Sequence, residues 1–196
     1  NAMIYMRGQA GDYARWSELT GDPIWQWDQT LETYKSLEDY YAGSNAWHGD
    51  SGEMRVERPR VQWDILDAWR EAAQEQGIPK IEEFNRGDNE GCAYFQMTQK
   101  RGERWSMADA YLHPIRQRPN LTILTKAQVL QLKLRAITPS SLSQNRFTKS
   151  AWHGAQTEVY GLDFLHNGVR KTAIAQDQVI LSAGSIGSPQ LLQISG

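Results

Sequence analysis

Apolar residues recur every three or four positions in the first half of the chain, the spacing of one helix face. Tyr13 and Trp16 predict a short helix over residues 12–19, which Gly21-Asp22-Pro23 ends. A second helix is predicted from Asp28, whose carboxylate suits an N-cap. The apolar side of this second helix is formed by Leu31, Tyr34, Leu37 and Tyr41.

A third helix is the clearest, over residues 61–76, and Gly77 with Pro79 ends it. Its apolar stripe consists of Ile65, Leu66, Trp69, Ala72 and Ala73. A shorter helix is predicted over residues 106–116, before Pro119.

Two polar stretches separate these helices. Residues 43–52, which contain His48, read as a polar loop. Residues 84–104 are rich in glycine, asparagine and other polar residues, so they predict a long surface segment.

The apolar period changes from four to two in the second half, the pattern of half-buried strands. Residues 130–134 and 160–164 alternate in this way. Asn167-Gly168 predicts a tight hairpin, because both central residues take positive φ, with a partner strand over residues 169–175. Residues 138–156 are rich in serine, threonine and asparagine, which favours disorder.

The last stretch reads as a strand, a turn of small residues and a helix. Val179, Ile180 and Leu181 predict the strand, and Ser188 with Pro189 suit the N-cap and first position of the helix. Small residues between them let another surface approach the backbone, and a helix N-terminus favours anionic groups such as phosphates. The same pattern is also typical of an ordinary tight turn.

Composition narrows the function classes. The net charge of −2 and the scattered lysines and arginines argue against a nucleic-acid partner. Cys92 is the single cysteine, which fits a reducing compartment. No apolar run reaches the roughly 20 residues of a membrane span, and no secretory leader is visible. We therefore expect a cytoplasmic protein without a transmembrane span.

The chain has eight tryptophans, and six of them lie among its first 69 residues. Large aromatic side chains fill cores and subunit contacts more often than they stack on sugars or bases, so we expect a core or interface role. The mean hydropathy of −0.64 is low for an intact compact domain.

The end of the chain also carries a family pattern. The string Gly184-Ser185-x-x-Ser188-Pro189-x-Leu191-Leu192-x-x-Ser195-Gly196 resembles the second signature of the glucose-methanol-choline (GMC) flavoprotein oxidoreductases. The resemblance continues upstream in Asn1-x-Met3-x-x-x-Arg7-Gly8, His48-Gly49-x-x-Gly52, Ala110-Tyr111-Leu112-x-Pro114 and Arg118-Pro119-Asn120-Leu121-Thr122. Among subfamilies it is nearest to bacterial choline-dehydrogenase-like alcohol dehydrogenases.

The resemblance implies an enzyme that holds FAD and takes a hydride from an alcohol carbon. Helices followed by strands predict an α+β fold: a helical N-terminal half, a β-hairpin region and a strand-to-helix turn, within the GMC FAD-binding fold. Residues 1–116 would be a helical lid with part of the substrate domain. Residues 117–196 would be part of the FAD-binding domain, with the long loop at 138–156.

Family position also implies cofactor contacts. Asn1, Ala2 and Met3 would lie near the isoalloxazine, and Val129 would meet the adenine through its backbone. The small-residue turn would approach the dinucleotide through Ala183, Gly184 and Ser185. Alternatives remain: Asn1-Ala2 fits a tag remnant before a start methionine, Met3 fits a core filler, and Val129 fits an ordinary strand residue.

Other family parts are missing from this sequence. It has no Gly-x-Gly-x-x-Gly fingerprint, and the family's catalytic histidine would lie beyond Gly196. Surface or structural roles are expected for the histidines present, namely His48, His113, His153 and His166. Asp88 and Glu90 read as a solvated turn, and no metal-ligand spacing occurs. We therefore expect no catalytic residue here and a catalytically silent fragment whose FAD binding is doubtful.

Two other interpretations stay open. The chain could be a non-catalytic, tryptophan-rich interaction module, or a truncated gene product. If the strands at 130–134 and 160–164 have unpaired edges, self-association through those edges or the tryptophan-rich face is expected.

Overall fold

The computed structural model describes residues 3–136 and 157–196, so the segment expected to be disordered lies outside the described residues. The chain divides into two compact units, Asn1–Leu121 and Thr122–Gly196. Helices dominate the first unit and an antiparallel sheet the second, which confirms the α+β class.

The first unit combines three α-helices with short paired strands. Strand β1 pairs antiparallel with β4, β2 parallel with β3, and β5 antiparallel with β6. In chain order the elements are β1 (Ile4–Tyr5), α1 (Ala10–Thr20), α2 (Trp27–Leu37), β2 (Glu38–Tyr40), β3 (Met54–Val56), α3 (Asp64–Glu75), β4 (Gln96–Met97), β5 (Gln99–Lys100) and β6 (Glu103–Arg104), followed by a π-helical turn (Ala108–Leu112) and a 3₁₀ turn (His113–Ile115).

The first three predicted helices are present with corrected boundaries, whereas the helix predicted over residues 106–116 is a π-helical turn followed by a 3₁₀ turn. Helix α1 ends at Thr20, and Gly21 follows it in the left-handed conformation with φ 67°. Helix α2 begins one residue before Asp28, so this residue lies in the first turn and Gln26 is the N-cap. The same helix ends at Leu37, because Glu38 adopts extended backbone and enters β2. Tyr41 therefore lies outside the helix, contrary to its apolar spacing.

Helix α3 matches its predicted position, but its apolar stripe is not buried in this chain. Ile65, Leu66 and Trp69 are 69%, 41% and 72% exposed. The periodicity located a helix with one apolar face, and nothing in the described residues covers that face.

The tryptophans do not form a core either. In the described part of the chain none of them is buried, and Trp16, Trp25, Trp63 and Trp69 are all more than a third exposed. Several pack edge-on against other aromatic rings instead: Trp16 contacts both Tyr13 and Trp25 with ring centroids 5.8 and 5.3 Å apart. Of the expected core or interface role, the core part is wrong for the described tryptophans, and the interface part stays a prediction.

The predicted surface segment at 84–104 also needs correction. Asn85, Gln96 and Gln99 are buried, and β4 pairs with β1 inside the unit. Asn85 accepts a hydrogen bond from the Arg7 backbone N–H at 2.8 Å. Polar composition suggested a surface, but these side chains serve a buried hydrogen-bond network.

In the second unit, β7 (Ala127–Ala136), β8 (Thr157–His166) and β9 (Val169–Ile174) form an antiparallel sheet in the order β7-β8-β9. The predicted hairpin is confirmed, with φ of 53° at Asn167 and 76° at Gly168. Because β8 lies in the middle, both its edges are paired, so the unpaired edge expected at 160–164 is wrong.

Helix α4 (Gly184–Ser195) packs on β7, where Leu191 and Leu132 are both buried. The Leu132 N–H donates to Ser195 Oγ at 2.9 Å and ties the two elements together. Among residues 3–136 and 157–196, no helix is long and apolar enough to cross a bilayer.

The approach to α4 differs from its prediction. Residues 179–181 form no strand within the described residues, because no neighbouring backbone there completes a ladder. The helix begins at Gly184 with Ala183 as N-cap, five residues before the predicted start. Ser188 accepts a hydrogen bond from the Ala183 N–H at 2.9 Å, and Pro189 lies inside the helix.

Candidate functional site

A buried cluster of charged side chains lies at the centre of the first unit. Arg7, Glu38 and His48 have no exposed side-chain surface, and Glu83 is 5% exposed at its side chain. The strand β2 supplies Glu38, and the loop between β2 and β3 supplies His48. Charges buried this deeply are tolerated only when they are paired and hydrogen-bonded.

Two carboxylates hold the imidazole of His48 from opposite sides. Its Nδ1 lies 2.8 Å from Glu38 Oε1 and its Nε2 lies 2.7 Å from Glu83 Oε2. The ring also stacks on Tyr40, with centroids 3.7 Å apart and planes 9° apart. Since ionised carboxylates only accept hydrogen bonds, both ring nitrogens donate and the ring is an imidazolium.

The pKa values in the cluster shift accordingly. Burial alone would lower the pKa of His48, but its hydrogen bonds to Glu38 and Glu83 hold that pKa above its ordinary value. Burial would raise the pKa of Glu83, whereas hydrogen bonds from His48 and Arg86 lower it to about 2. The pKa of Glu38 is also lowered: burial opposes the shift, and the His48 hydrogen bond and the Arg7 charge outweigh it.

Arg7 completes the cluster. Its Nη2 lies 2.7 Å from Glu38 Oε1, a charge contact without the alignment of a hydrogen bond. Its Nη1 donates to the Trp47 carbonyl at 2.7 Å and to the Asn85 carbonyl at 3.2 Å. One arginine therefore joins the chain after β1 to the His48 loop and to the segment before β4.

The glycines that follow His48 let its loop pass close to other backbone. A Cβ at Gly49 would overlap the carbonyl oxygen of Lys35, and one at Gly52 would overlap the carbonyl of Leu37. The Gly52 N–H donates to the Glu38 carbonyl at 2.9 Å. The spacing His-Gly-x-x-Gly thus places the imidazole against the end of α2 and the start of β2.

A separate cavity in the second unit contains some of the predicted cofactor contacts. Its volume is about 450 Å³, and it lies between the first half of β7 and one side of α4, from Gly187 to Ile194. Val129 and Ala183 both line it. Ser185 lies in the first turn of α4, and Gly184 has φ 88° with no atom within 4 Å of a Cβ built there.

This cavity fits one part of a dinucleotide. Its walls are formed mainly by backbone, small residues and aliphatic side chains, which suit a flat ring, and the first amide groups of α4 lack partners within the helix. The residues present therefore fit the edge of an FAD site, and the missing glycine fingerprint would have to be supplied by other residues.

The predicted contacts near the isoalloxazine belong to the first unit. Asn1 and Ala2 lie outside the described residues. Met3 has φ 69°, uncommon for a residue with a side chain, and its carbonyl accepts from the Thr98 N–H at 2.7 Å. Strained backbone of this kind is often found at functional sites.

Of the other histidines, His113 is exposed and lies 3.2 Å from Asp109, whereas His166 ends β8. His153 lies outside the described residues. Of the surface or structural role expected for His48, the surface position is wrong, because the side chain is buried. Its buried ion pairs fit the structural role. The Glu90 N–H donates to Asp88 at 3.1 Å in an exposed turn, as predicted.

Sequence reasoning missed the buried partners of His48. Glu38 and Glu83 stand 10 and 35 residues from His48; Glu38 falls in the stretch predicted as the second helix, and Glu83 just before the predicted polar segment. No local pattern joins them. Within residues 3–136 and 157–196, no group of three His, Cys, Asp or Glu side chains is arranged to hold a metal ion.

Comparison with known proteins agrees with the pattern of motifs. The profile of the GMC oxidoreductase family matches residues 1–196. Mouse choline dehydrogenase, a mitochondrial protein, is 34% identical over 196 residues, all of this chain and 29% of that protein. Oxygen-dependent choline dehydrogenase of Rhizobium meliloti is 33% identical over the whole chain and 32% of its own length. An alcohol dehydrogenase (acceptor) of Pseudomonas putida is also 33% identical, over 32% of its length.

Solved structures give the same result. Pyridoxine 4-oxidase from Mesorbium loti superposes with a TM-score of 0.80 at 31% identity, covering 100% of this chain and 35% of that one. An FAD-dependent oxidoreductase from Chaetomium thermophilum shares the fold, with a TM-score of 0.79 at 22% identity over 33% of its chain. The chain spans about a third of the length of these relatives. With a family match over every residue, the chain belongs to the GMC oxidoreductases, a family of FAD-dependent enzymes.

Proposed function

We propose that this chain is part of an FAD-dependent oxidoreductase that acts on the CH–OH group of a primary alcohol. The observation that carries the proposal is the family match over all 196 residues. It is supported by relatives named as choline and alcohol dehydrogenases. Bound FAD would supply the hydride acceptor.

The chain's own residues would hold and orient the cofactor. Val129 would meet the adenine through its backbone, and Ala183, Gly184 and Ser185 would let the dinucleotide approach α4. Asn1, Ala2 and Met3 would lie near the isoalloxazine. The cavity that Val129 and Ala183 share supports the first part of this assignment.

We also propose that the 196 residues alone are catalytically silent. They lack the glycine fingerprint. Of the histidines that the structure describes, His48 is enclosed by Glu38 and Glu83, and the exposed His113 pairs with Asp109 one turn earlier in the chain. The test compares this chain with the complete protein that contains it, by flavin absorbance after gel filtration and by alcohol-dependent reduction of a dye. Bound FAD and turnover in the complete protein alone support the proposal, and turnover by the 196 residues contradicts it.

A second candidate is a tryptophan-rich interaction module that self-associates. The exposed stripe of Ile65, Leu66 and Trp69 on α3 favours it, since apolar patches mark interaction surfaces. Analytical ultracentrifugation distinguishes the two functions. Concentration-dependent association that Trp69→Gln abolishes would support the module, whereas a monomer over the whole concentration range would exclude it.

For localisation we propose the cytoplasm. The single cysteine, Cys92, supports a reducing compartment. The mouse relative is named as mitochondrial, so the mitochondrion is the compartment that the test must distinguish from the cytoplasm. Fractionation of cells that express the complete protein from its own gene would test it, and recovery in an organelle or membrane fraction would contradict it.

A further inference from the structure

A second cavity opens beside the buried charges of the first unit. Its volume is about 230 Å³. Its wall includes three arginines and three tyrosines: Arg58, Arg70, Arg86, Tyr40, Tyr41 and Tyr94. Neither the hydride transfer nor the proposed flavin contacts use these side chains.

The acidic groups of this wall are already engaged. Glu83 accepts from Arg86 Nε at 2.8 Å through Oε1 and from Gln96 Nε2 at 2.6 Å through Oε2. Glu82 accepts from Arg86 Nη2 at 2.6 Å. Two carboxylates thus neutralise Arg86, and Glu83 is shared further with His48.

Two of the arginines in this wall, in contrast, are not neutralised by a close carboxylate. Arg58 forms no ion pair with any carboxylate in the described part of the chain, and its guanidinium lies 5.4 Å from the centre of the Tyr41 ring. Arg70 Nε is buried and has no hydrogen-bond partner among residues 3–136 and 157–196.

Arg70 is held in a similar way. Its guanidinium lies 5.1 Å from the centre of the Tyr94 ring, and its Nη1 lies 3.7 Å from the exposed Asp67, a weak contact. Tyr94 donates to that same carboxylate at 2.9 Å. Each of the two arginines therefore rests on an aromatic ring. Arg58 is exposed to solvent, whereas the buried Nε–H of Arg70 has no acceptor among the described residues. A buried donor without an acceptor is costly, so such a wall favours a ligand that brings acceptors.

We propose that this cavity binds a small organic carboxylate, whose oxygens Arg58 and Arg70 hold and whose apolar body lies against Tyr41 and Tyr94. Guanidinium groups match the planar carboxylate and donate to both its oxygens. The cavity is smaller than the roughly 300 Å³ at which pockets for drug-sized ligands begin, so the ligand is small. The inference is independent of the proposed hydride transfer.

Isothermal titration of the complete protein with benzoate, acetate and inorganic phosphate tests the inference. Saturable binding of one benzoate is expected, tighter than acetate because the ring packs on tyrosine and tighter than phosphate because the cavity wall is partly apolar. Arg58→Gln and Arg70→Gln should each weaken benzoate binding about tenfold or more. Arg116→Gln removes the same charge from an exposed side chain outside the cavity and should leave the affinity within about twofold.

Three results would overturn the assignment: no saturable benzoate binding, unchanged affinity in both cavity variants, or tighter binding of phosphate. Arg58 follows β3 and Arg70 lies in α3, so if one variant fails to fold, the benzoate affinity of the other variant still tests the assignment. Nitrogen-15 spectra of arginine-labelled protein give a readout without substitution. Benzoate should shift two Nε–H resonances that Arg116→Gln leaves in place, and the absence of any shift would contradict the proposal.

Discussion

Glu38 Oε1 lies 2.8 Å from Nδ1 of His48, and neither side chain has any surface in contact with solvent. With Glu83 on the other ring nitrogen, the imidazolium is enclosed by two negative charges, and Arg7 supplies a second positive charge. The cluster is thus close to neutral as a whole. It joins β2, the loop before β3, the segment before β4 and the residues after β1.

This arrangement makes stability depend on pH. The pKa of His48 is raised in the fold above the value of about 6.5 that it has in the unfolded chain. A group of this kind contributes stability that is complete below the unfolded pKa and is lost as pH rises through the folded pKa. We expect the free energy of unfolding in urea to decrease between pH 6.5 and 9, and His48→Gln to flatten this decrease.

His113→Gln is the matched control, because it removes an exposed histidine that also pairs with a carboxylate. It should retain the wild-type slope above pH 6.5. On the acid side, Glu83 has a pKa of about 2, so its contribution should be present above about pH 4.5 and lost as pH falls towards 2. A His48→Gln protein with the wild-type slope above pH 6.5 would refute the buried imidazolium.

Removing Arg7 should be costly. Arg7→Met removes one of the two positive charges beside buried Glu38, leaves it only the imidazolium that Glu83 also shares, and frees two backbone carbonyls. We therefore expect a loss of about 3–5 kcal/mol in the free energy of unfolding. Arg135→Met breaks another arginine–glutamate pair, with Glu158 at 2.6 Å, but its arginine is 59% exposed. That control should lose about 0–1 kcal/mol. Equal losses in urea titrations of the two variants would contradict the role of burial.

The sequence predicted elements well where the signal is local. Asn167-Gly168 between two alternating runs gave the β8–β9 hairpin, because turn geometry depends on the residues in the turn itself. Helix α3 was placed within a few residues by its apolar spacing and by Gly77. Its burial was not predictable, because burial depends on what packs against the helix.

Other features depend on partners distant in sequence. Residues 84–104 look solvated by composition, yet Asn85 and Gln96 hydrogen-bond to each other in the interior at 2.6 Å. The strand expected at 179–181 needs a neighbouring strand, and the described residues offer none. Helix α4 starts at Gly184, five residues before the predicted start at Pro189, and Ser188 lies inside it, where its hydroxyl accepts from the Ala183 N–H.

The close approach of the His48 loop can be tested at Gly49. Gly49→Ala places a methyl group on the carbonyl oxygen of Lys35. Because this oxygen belongs to the backbone, it cannot move aside as a flexible side chain could. We expect a loss of about 3 kcal/mol or more in urea titrations. Gly11→Ala in α1 is the control: no atom lies within 4 Å of its added Cβ. There the greater helix propensity of alanine should change stability by at most about 1 kcal/mol, in the favourable direction.

A loss at Gly49 no larger than the change at Gly11 would show that the loop does not lie against α2. The fold of the variant can be followed through Tyr40, whose ring stacks on His48 and reports on the cluster by near-ultraviolet circular dichroism. That signal should decrease in Gly49→Ala and remain in Gly11→Ala.

The proposed flavin edge can be tested at Ala183. Ala183→Phe adds a ring to the cavity between β7 and α4, where Val129 forms the opposite wall. If the adenine end of FAD occupies this cavity, the complete protein should bind FAD about tenfold more weakly, because the ring takes the volume and blocks the β7 backbone. The dissociation constant is measured by flavin fluorescence after removal and return of FAD. Lys171→Phe adds the same ring at an exposed position of β9, outside the cavity, and should bind FAD as the wild type does. Both variants carry an extra phenyl group, so a difference between their affinities for FAD reports on the cavity itself. Equal affinity for FAD in the two variants would place the cofactor elsewhere.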